Sequence, residues 1–192
     1  MKTSFCNNTN HIFSILLIFC FFLLFTTTQA QQYIPVEKGS KIEFSVQRAS
    51  GEKNKIKGWF SDIKGNINFE PGKPEQCVFD ITLNSATAKT YDKTIEEKLK
   101  SNVFLDIGRF PVIHLKSAAV KKDSGPIYIL YGNLTLKGIT KQVKLQFMAL
   151  PSGTGYIFRG LLQLKRLDYG IGPKGGIDDN VEVYIDIAAN KK

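Results

Sequence analysis

The chain has 192 residues, and 26 lysines and arginines against 17 aspartates and glutamates give it a net charge of +9. Zinc and iron sites gather several cysteine and histidine ligands, and of its three cysteines and two histidines only one of each stands beyond residue 30.

Residues 1–30 read as a secretory signal peptide. Lys2 is the only charged residue among them, and Ile12 to Phe25 is an almost wholly apolar run, short for a membrane span. Thr26-Thr27-Thr28-Gln29-Ala30 then supplies the small residues of a cleavage site. A retained membrane anchor is the alternative reading. On the first reading residues 31–192 form one exported domain, periplasmic or secreted, starting near Gln31. Losing Lys2 alone takes the net charge from +9 to +8. Cys6, Cys20 and His11 leave with the leader, so Cys77 and His114 are the remaining cysteine and histidine. One thiol cannot close an internal disulfide, so the fold must rest on its hydrophobic core.

Strand signals then recur along the chain. Ile42, Phe44 and Val46 alternate with polar residues, and Ile56 to Phe60 leads through Ser61-Asp62 into Ile63 to Phe69. Glu70-Pro71-Gly72-Lys73-Pro74 reads as a turn. Cys77 to Leu83 alternates again and places Cys77 on the face of Phe79 and Ile81, as a buried thiol. Tyr91 to Lys100 breaks the rhythm and reads as one short helix. Thr94 with Glu97 fits a capping box, Asp92 is an alternative cap, and Ile95 and Leu99 share a face. Strands resume at Val112 to Ala119, Ile127 to Leu136, Val143 to Leu150, Tyr156 to Lys165 and Val181 to Ala189. The reversal between the second and third of these falls in Lys137-Gly138-Ile139-Thr140-Lys141.

Alternation on nearly every strand means one dry and one wet face, which a sandwich or a closed barrel of about eight antiparallel strands satisfies. Gly58, Gly65, Gly132 and Gly160 lie on apolar faces inside strands, where bending or interior space is needed, and this favours the barrel. The expected class is all-β with one short helix.

Catalytic constellations are thin. His114 sits in a strand with no strained nucleophile turn to serve and reads as an outward residue. Asp168 and Asp178 flank the glycine-rich stretch Gly170 to Gly176, but no helix follows to make a phosphate cradle, so the stretch reads as a strand connection. No catalytic residue, metal or cofactor is expected. Nucleic acid is not an expected partner, because no stacking platform is evident. Lys53, Lys55 and Lys57, and again Lys137, Lys141 and Lys144, read first as solvated exterior. Transient attraction to an anionic head group or membrane surface is their second reading.

Several segments, in order, are similar to the YceI-like family. They are Ile56 to Phe60, Ile63 to Phe69, Ser85 and Thr90, Leu99 to Asp106, Arg109 to Ser117, Tyr131 to Lys141, Leu167 to Gly172 and Asp178 to Val181. The resemblance implies an extended lipocalin-like antiparallel barrel whose hydrophobic channel binds a polyisoprenoid or other long-chain amphiphilic lipid, with no established catalysis. The chain departs from the family pattern at Gly39-Ser40 and at Ile95 to Leu99, where polar groups differ. Inward-face apolar residues expected to line such a channel are Phe44, Phe60, Ile67, Phe79, Ile81, Leu115, Leu134, Phe147, Phe158 and Leu162. A ligand-free interaction module of the envelope or of a stress response is the competing function. Monomer and dimer both remain open.

Overall fold

A computed structural model describes residues 31–49 and 55–192; residues 1–30, expected to be a signal peptide, and Lys53 lie outside the described residues. Eleven strands are present among them: β1 (Gln32–Pro35), β2 (Lys41–Arg48), β3 (Ile56–Phe60), β4 (Ile63–Asn68), β5 (Val78–Asn84), β6 (Lys89–Thr90), β7 (Val112–Lys122), β8 (Ile127–Leu136), β9 (Ile139–Ser152), β10 (Gly155–Lys165) and β11 (Ile177–Lys191). The one α-helix among the described residues, α1 (Lys93–Lys100), stands between β6 and β7.

All eleven strands join one antiparallel sheet, and the ring β1-β4-β5-β7-β8-β9-β10-β11 closes where β11 returns to β1. This is an eight-stranded barrel, with β2, β3 and β6 extending it beyond β11. The extra strands are continuations of broken ones. Along the edge of β11, β1 pairs with Ala189 to Lys191 and β2 with Ile177 to Asp186, so the two follow one another like halves of a single strand. In the same way β3 and β4 break at Asp62, whose φ is +58°. The break is pinned by Thr87, whose hydroxyl accepts from the Ser61 N–H (3.2 Å) and donates to the Ser61 carbonyl (2.7 Å).

The closing strand β1 carries no alternation signal. It is four residues long and contains a proline, and it is placed by β4 on one side and by residues at the far end of the chain on the other. Ring closure removes the exposed edge that an open sheet would present.

The reversal between β8 and β9 is tighter than the expected five residues. Leu136 pairs directly with Ile139, leaving Lys137 (φ +49°) and Gly138 (φ +76°) as a two-residue turn. Two left-handed residues match the twist of a hairpin, so Ile139, Thr140 and Lys141 belong to β9. Gly138 is required for a second reason, since a Cβ there would lie 2.5 Å from the Phe110 ring.

At α1 the cap is Asp92. Its extended backbone lets the carboxylate accept from the N–H groups of Thr94 (2.8 Å) and Ile95 (3.2 Å). Thr94 is already inside the helix, so the Thr94–Glu97 capping box does not form. Glu96 instead accepts from Lys100 one turn on, at 2.7 Å.

The barrel interior is not uniform along its axis. One end is plugged by aromatic rings: Phe69 contacts Phe79, Tyr128, Tyr156 and Phe158 at centroid distances of 5.0–6.4 Å, and Phe79 contacts Phe147 at 5.2 Å. These rings come from the β1 end of the ring of strands. Edge-to-face pairs add about 0.5–1.5 kcal/mol each beyond area burial, so this end is the well-packed part of the core.

Candidate functional site

The other end of the barrel is hollow. A cavity of about 480 Å³ runs down from α1, walled by apolar side chains of β2–β5 and β7–β11. That volume is within the range of small-molecule sites. Several inward-facing side chains remain half-buried although strand parity points them inside: Phe44, Phe60, Leu115, Val183 and Ile185. Leu115 is flanked on its two ladder sides by Ile81 and Leu134, which are buried. The residual exposure of the inward set is therefore exposure to the cavity.

All ten residues expected from the strand pattern lie along its wall: Phe44, Phe60, Ile67, Phe79, Ile81, Leu115, Leu134, Phe147, Phe158 and Leu162. They differ in depth. Ile67, Phe79, Phe147 and Phe158 are buried toward the aromatic plug, and Phe147 stacks on Tyr128 at 5.5 Å. Phe60 tilts against Phe44 at 5.7 Å in the open half. Gly58 makes room for that pair, because a Cβ there would lie 2.3 Å from the Phe44 ring.

The rim is built from α1, the segment after it, the Pro173–Gly176 connection and the end of β2. Ile95, Lys98 and Leu99 turn one face of α1 toward the cavity, at the i, i+3, i+4 spacing that puts residues side by side. Lys137 holds two rim segments together, donating to the carbonyls of Val103 (3.0 Å) and Gly170 (2.8 Å). It is thus a structural staple within the expected basic patch. Lys55 likewise pairs with Glu182 at 2.6 Å.

Arg166 is the residue the motif reading passed over. It is 2% exposed, lines the cavity, and donates to three backbone carbonyls: Nε to Asp178 (2.9 Å), Nη1 to Ile171 (2.7 Å) and Nη2 to Ile177 (3.1 Å). These bonds anchor the glycine-rich connection to the end of β10. Parity carried the signal, since Leu162, Leu164 and Arg166 are successive residues of one face.

The remaining candidates are peripheral to the cavity. His114 pairs with Asp80 of the neighbouring strand, Nε2 to Oδ1 at 2.7 Å, and neither lines the cavity. Asp168 and Asp178 do not line it either, and the Asp178 carboxylate accepts from the backbone of Asn180 two residues on. Cys77 is buried and exchanges contacts with the Glu70 backbone, and burial pushes its thiol pKa up from the ordinary value.

The closed barrel, its rim helix and its segment order agree with a match of residues 33–189 to the model of the YceI-like domain. The chain belongs to the YceI-like family. It is 29% identical over 178 residues to Protein YceI of Salmonella newport (strain SL254), covering 86% of this chain and 91% of that protein. It is 30% identical over 155 residues to a UPF0312 protein of Serratia proteamaculans (strain 568), covering 76% and 78%. Among solved structures, Burkholderia cenocepacia BcnA superimposes with a TM-score of 0.73 at 22% identity, covering 77% of this chain and 94% of BcnA. A polyisoprenoid binding domain from Saccharophagus degradans, implicated in plant cell wall breakdown, gives 0.65 at 11% identity, covering 85% and 100%. At those identities the structural likeness speaks for the fold. Among the described residues no helix is long and apolar enough to cross a membrane.

Proposed function

We propose that this chain holds a long-chain amphiphilic lipid, such as a polyisoprenoid, in the hollow half of its barrel, and that it acts by binding without catalysis. The observation that carries the proposal is the cavity: about 480 Å³ walled almost entirely by apolar side chains, below a rim that carries the polar groups. The name of the Saccharophagus domain supports the choice of ligand class.

The energetics require a long tail. Each buried methylene contributes about 0.8 kcal/mol, whereas association costs roughly 4–15 kcal/mol in lost freedom. A tail of fewer than about five methylenes cannot offset even the low end of that cost. Contact with the tail falls to the ten wall residues, led by Phe44, Phe60 and Leu115 in the open half. In this proposal residues 1–30 direct export and residues 31–192 act as the binding domain outside the cytoplasm.

The test is organic extraction of protein purified from its native compartment, followed by mass spectrometry of the extract. A long-chain lipid in stoichiometric amount is the expected result. Protein that carries none and takes up none from lipid dispersions would favour the ligand-free interaction module.

A further inference from the structure

Among the described residues, the charged side chains of the cavity wall are all of one sign. Lys98 and Arg166 line it, and among the described residues no aspartate or glutamate does. Arg166 is the telling one. A buried guanidinium is ordinarily matched by a carboxylate, because moving a bare charge out of water is costly. Here its partners are three carbonyls, which supply partial charge only. Three of its five N–H donors are used, and the cation's full charge faces a wall whose described residues carry no counter-charge. Lys98 lies on the cavity-facing side of α1, and its ammonium makes no ion pair among the described residues. The acidic neighbour on that helix, Glu96, is taken by Lys100.

A site of this kind discriminates among amphiphiles. In an apolar surround, Coulomb attraction is several times stronger than in water, so a wall with surplus positive charge favours a ligand that brings the missing negative charge. We infer that the lipid carries an anionic head group, a phosphate or a carboxylate, held at the rim by Lys98 in the field of Arg166. This rests on the lipid-holding reading above and adds the chemistry of the polar end. A neutral head group would leave the Arg166 charge uncompensated.

The experiment compares ligands with matched tails. Geranylgeranyl monophosphate is set against geranylgeraniol, and palmitate against hexadecanol, each by displacement of the neutral fluorophore N-phenyl-1-naphthylamine. One charge-assisted contact predicts the anion to bind about tenfold or more tighter than its alcohol at low salt, with the gap narrowing as salt rises. Lys98→Glu should reduce that preference about tenfold, in protein whose β-sheet circular dichroism and denaturant midpoint match the wild type. Preference for phosphate alone, or for both anions, identifies the head group. An alcohol that binds as tightly as both anions overturns the inference while leaving the lipid-holding reading standing. A preference that survives Lys98→Glu undiminished overturns it too. If neither alcohols nor anions bind, the lipid-holding reading fails and takes this inference with it.

Discussion

If the ligand tail occupies the hollow half of the barrel, affinity should climb with tail length and then stop. The cavity of about 480 Å³ holds on the order of sixteen groups at roughly 30 Å³ each, the share of a water-sized unit. Each methylene up to that number should therefore tighten binding by about 0.8 kcal/mol, or roughly fourfold. Beyond about sixteen carbons the added methylenes stay wet and the curve flattens. Leu115→Trp is the perturbation that ties this break to the cavity. Leu115 is half-buried on β7 with its side chain on the cavity wall, between Ile81 and Leu134. The substitution adds about six carbon-sized atoms, and hollow space takes them without the 1–3 kcal/mol or so that overpacking a dense core costs. The break should move from about sixteen carbons to about ten. Saturated fatty acids of increasing length, titrated against the same neutral fluorophore, give the curve for both proteins. A folded Leu115→Trp protein with an unmoved break would refute the placement of the tail in this cavity.

Three further outcomes are expected. Arg166→Gln leaves the carbonyls of Ile171, Ile177 and Asp178 with fewer donors and should destabilise the barrel by at least about 3 kcal/mol, measured by denaturant unfolding. Cys77, whose thiol pKa is raised chiefly by burial, should resist iodoacetamide at pH 8 in the native protein and react once unfolded. Because that folded-state pKa is raised, the stability tied to the neutral thiol is complete below its ordinary value. It is lost as pH rises through the raised one, so stability should decline above roughly pH 9. Burial of Tyr169 acts in the same direction at still higher pH. Mass spectrometry of the exported protein should find a mature N-terminus at or near Gln31; a chain retaining Met1 in the membrane fraction would mark residues 1–30 as an anchor.

Much of this molecule is local and could be read without coordinates. Period-two alternation fixes which face of each strand is dry, because successive side chains point to opposite sides whatever the partner strand is. Hence the ten wall residues were legible, as was the helix, whose Ile95 and Leu99 spacing is a property of eight consecutive residues. Even Arg166 was within reach of parity, the next alternate position after Leu162 and Leu164.

Depth and closure were not legible, because they depend on residues far apart in the chain. Strand β1 has too few residues to show a period, and it closes the ring only because Ala189 to Lys191 lie opposite. Phe79 and Phe60 carry the same inward signal. The first meets Phe69, Phe147 and Phe158 and becomes part of a plug, and the second meets Phe44 beside open space. Alternation records the side of the sheet and not the height along the barrel, so only the register of eight strands could decide which apolar residues fill the core and which wall a cavity. The sign of the rim charge is a tertiary fact for the same reason. Lys98 and Arg166 come from distant segments, and nothing in either one shows that the two line the same wall.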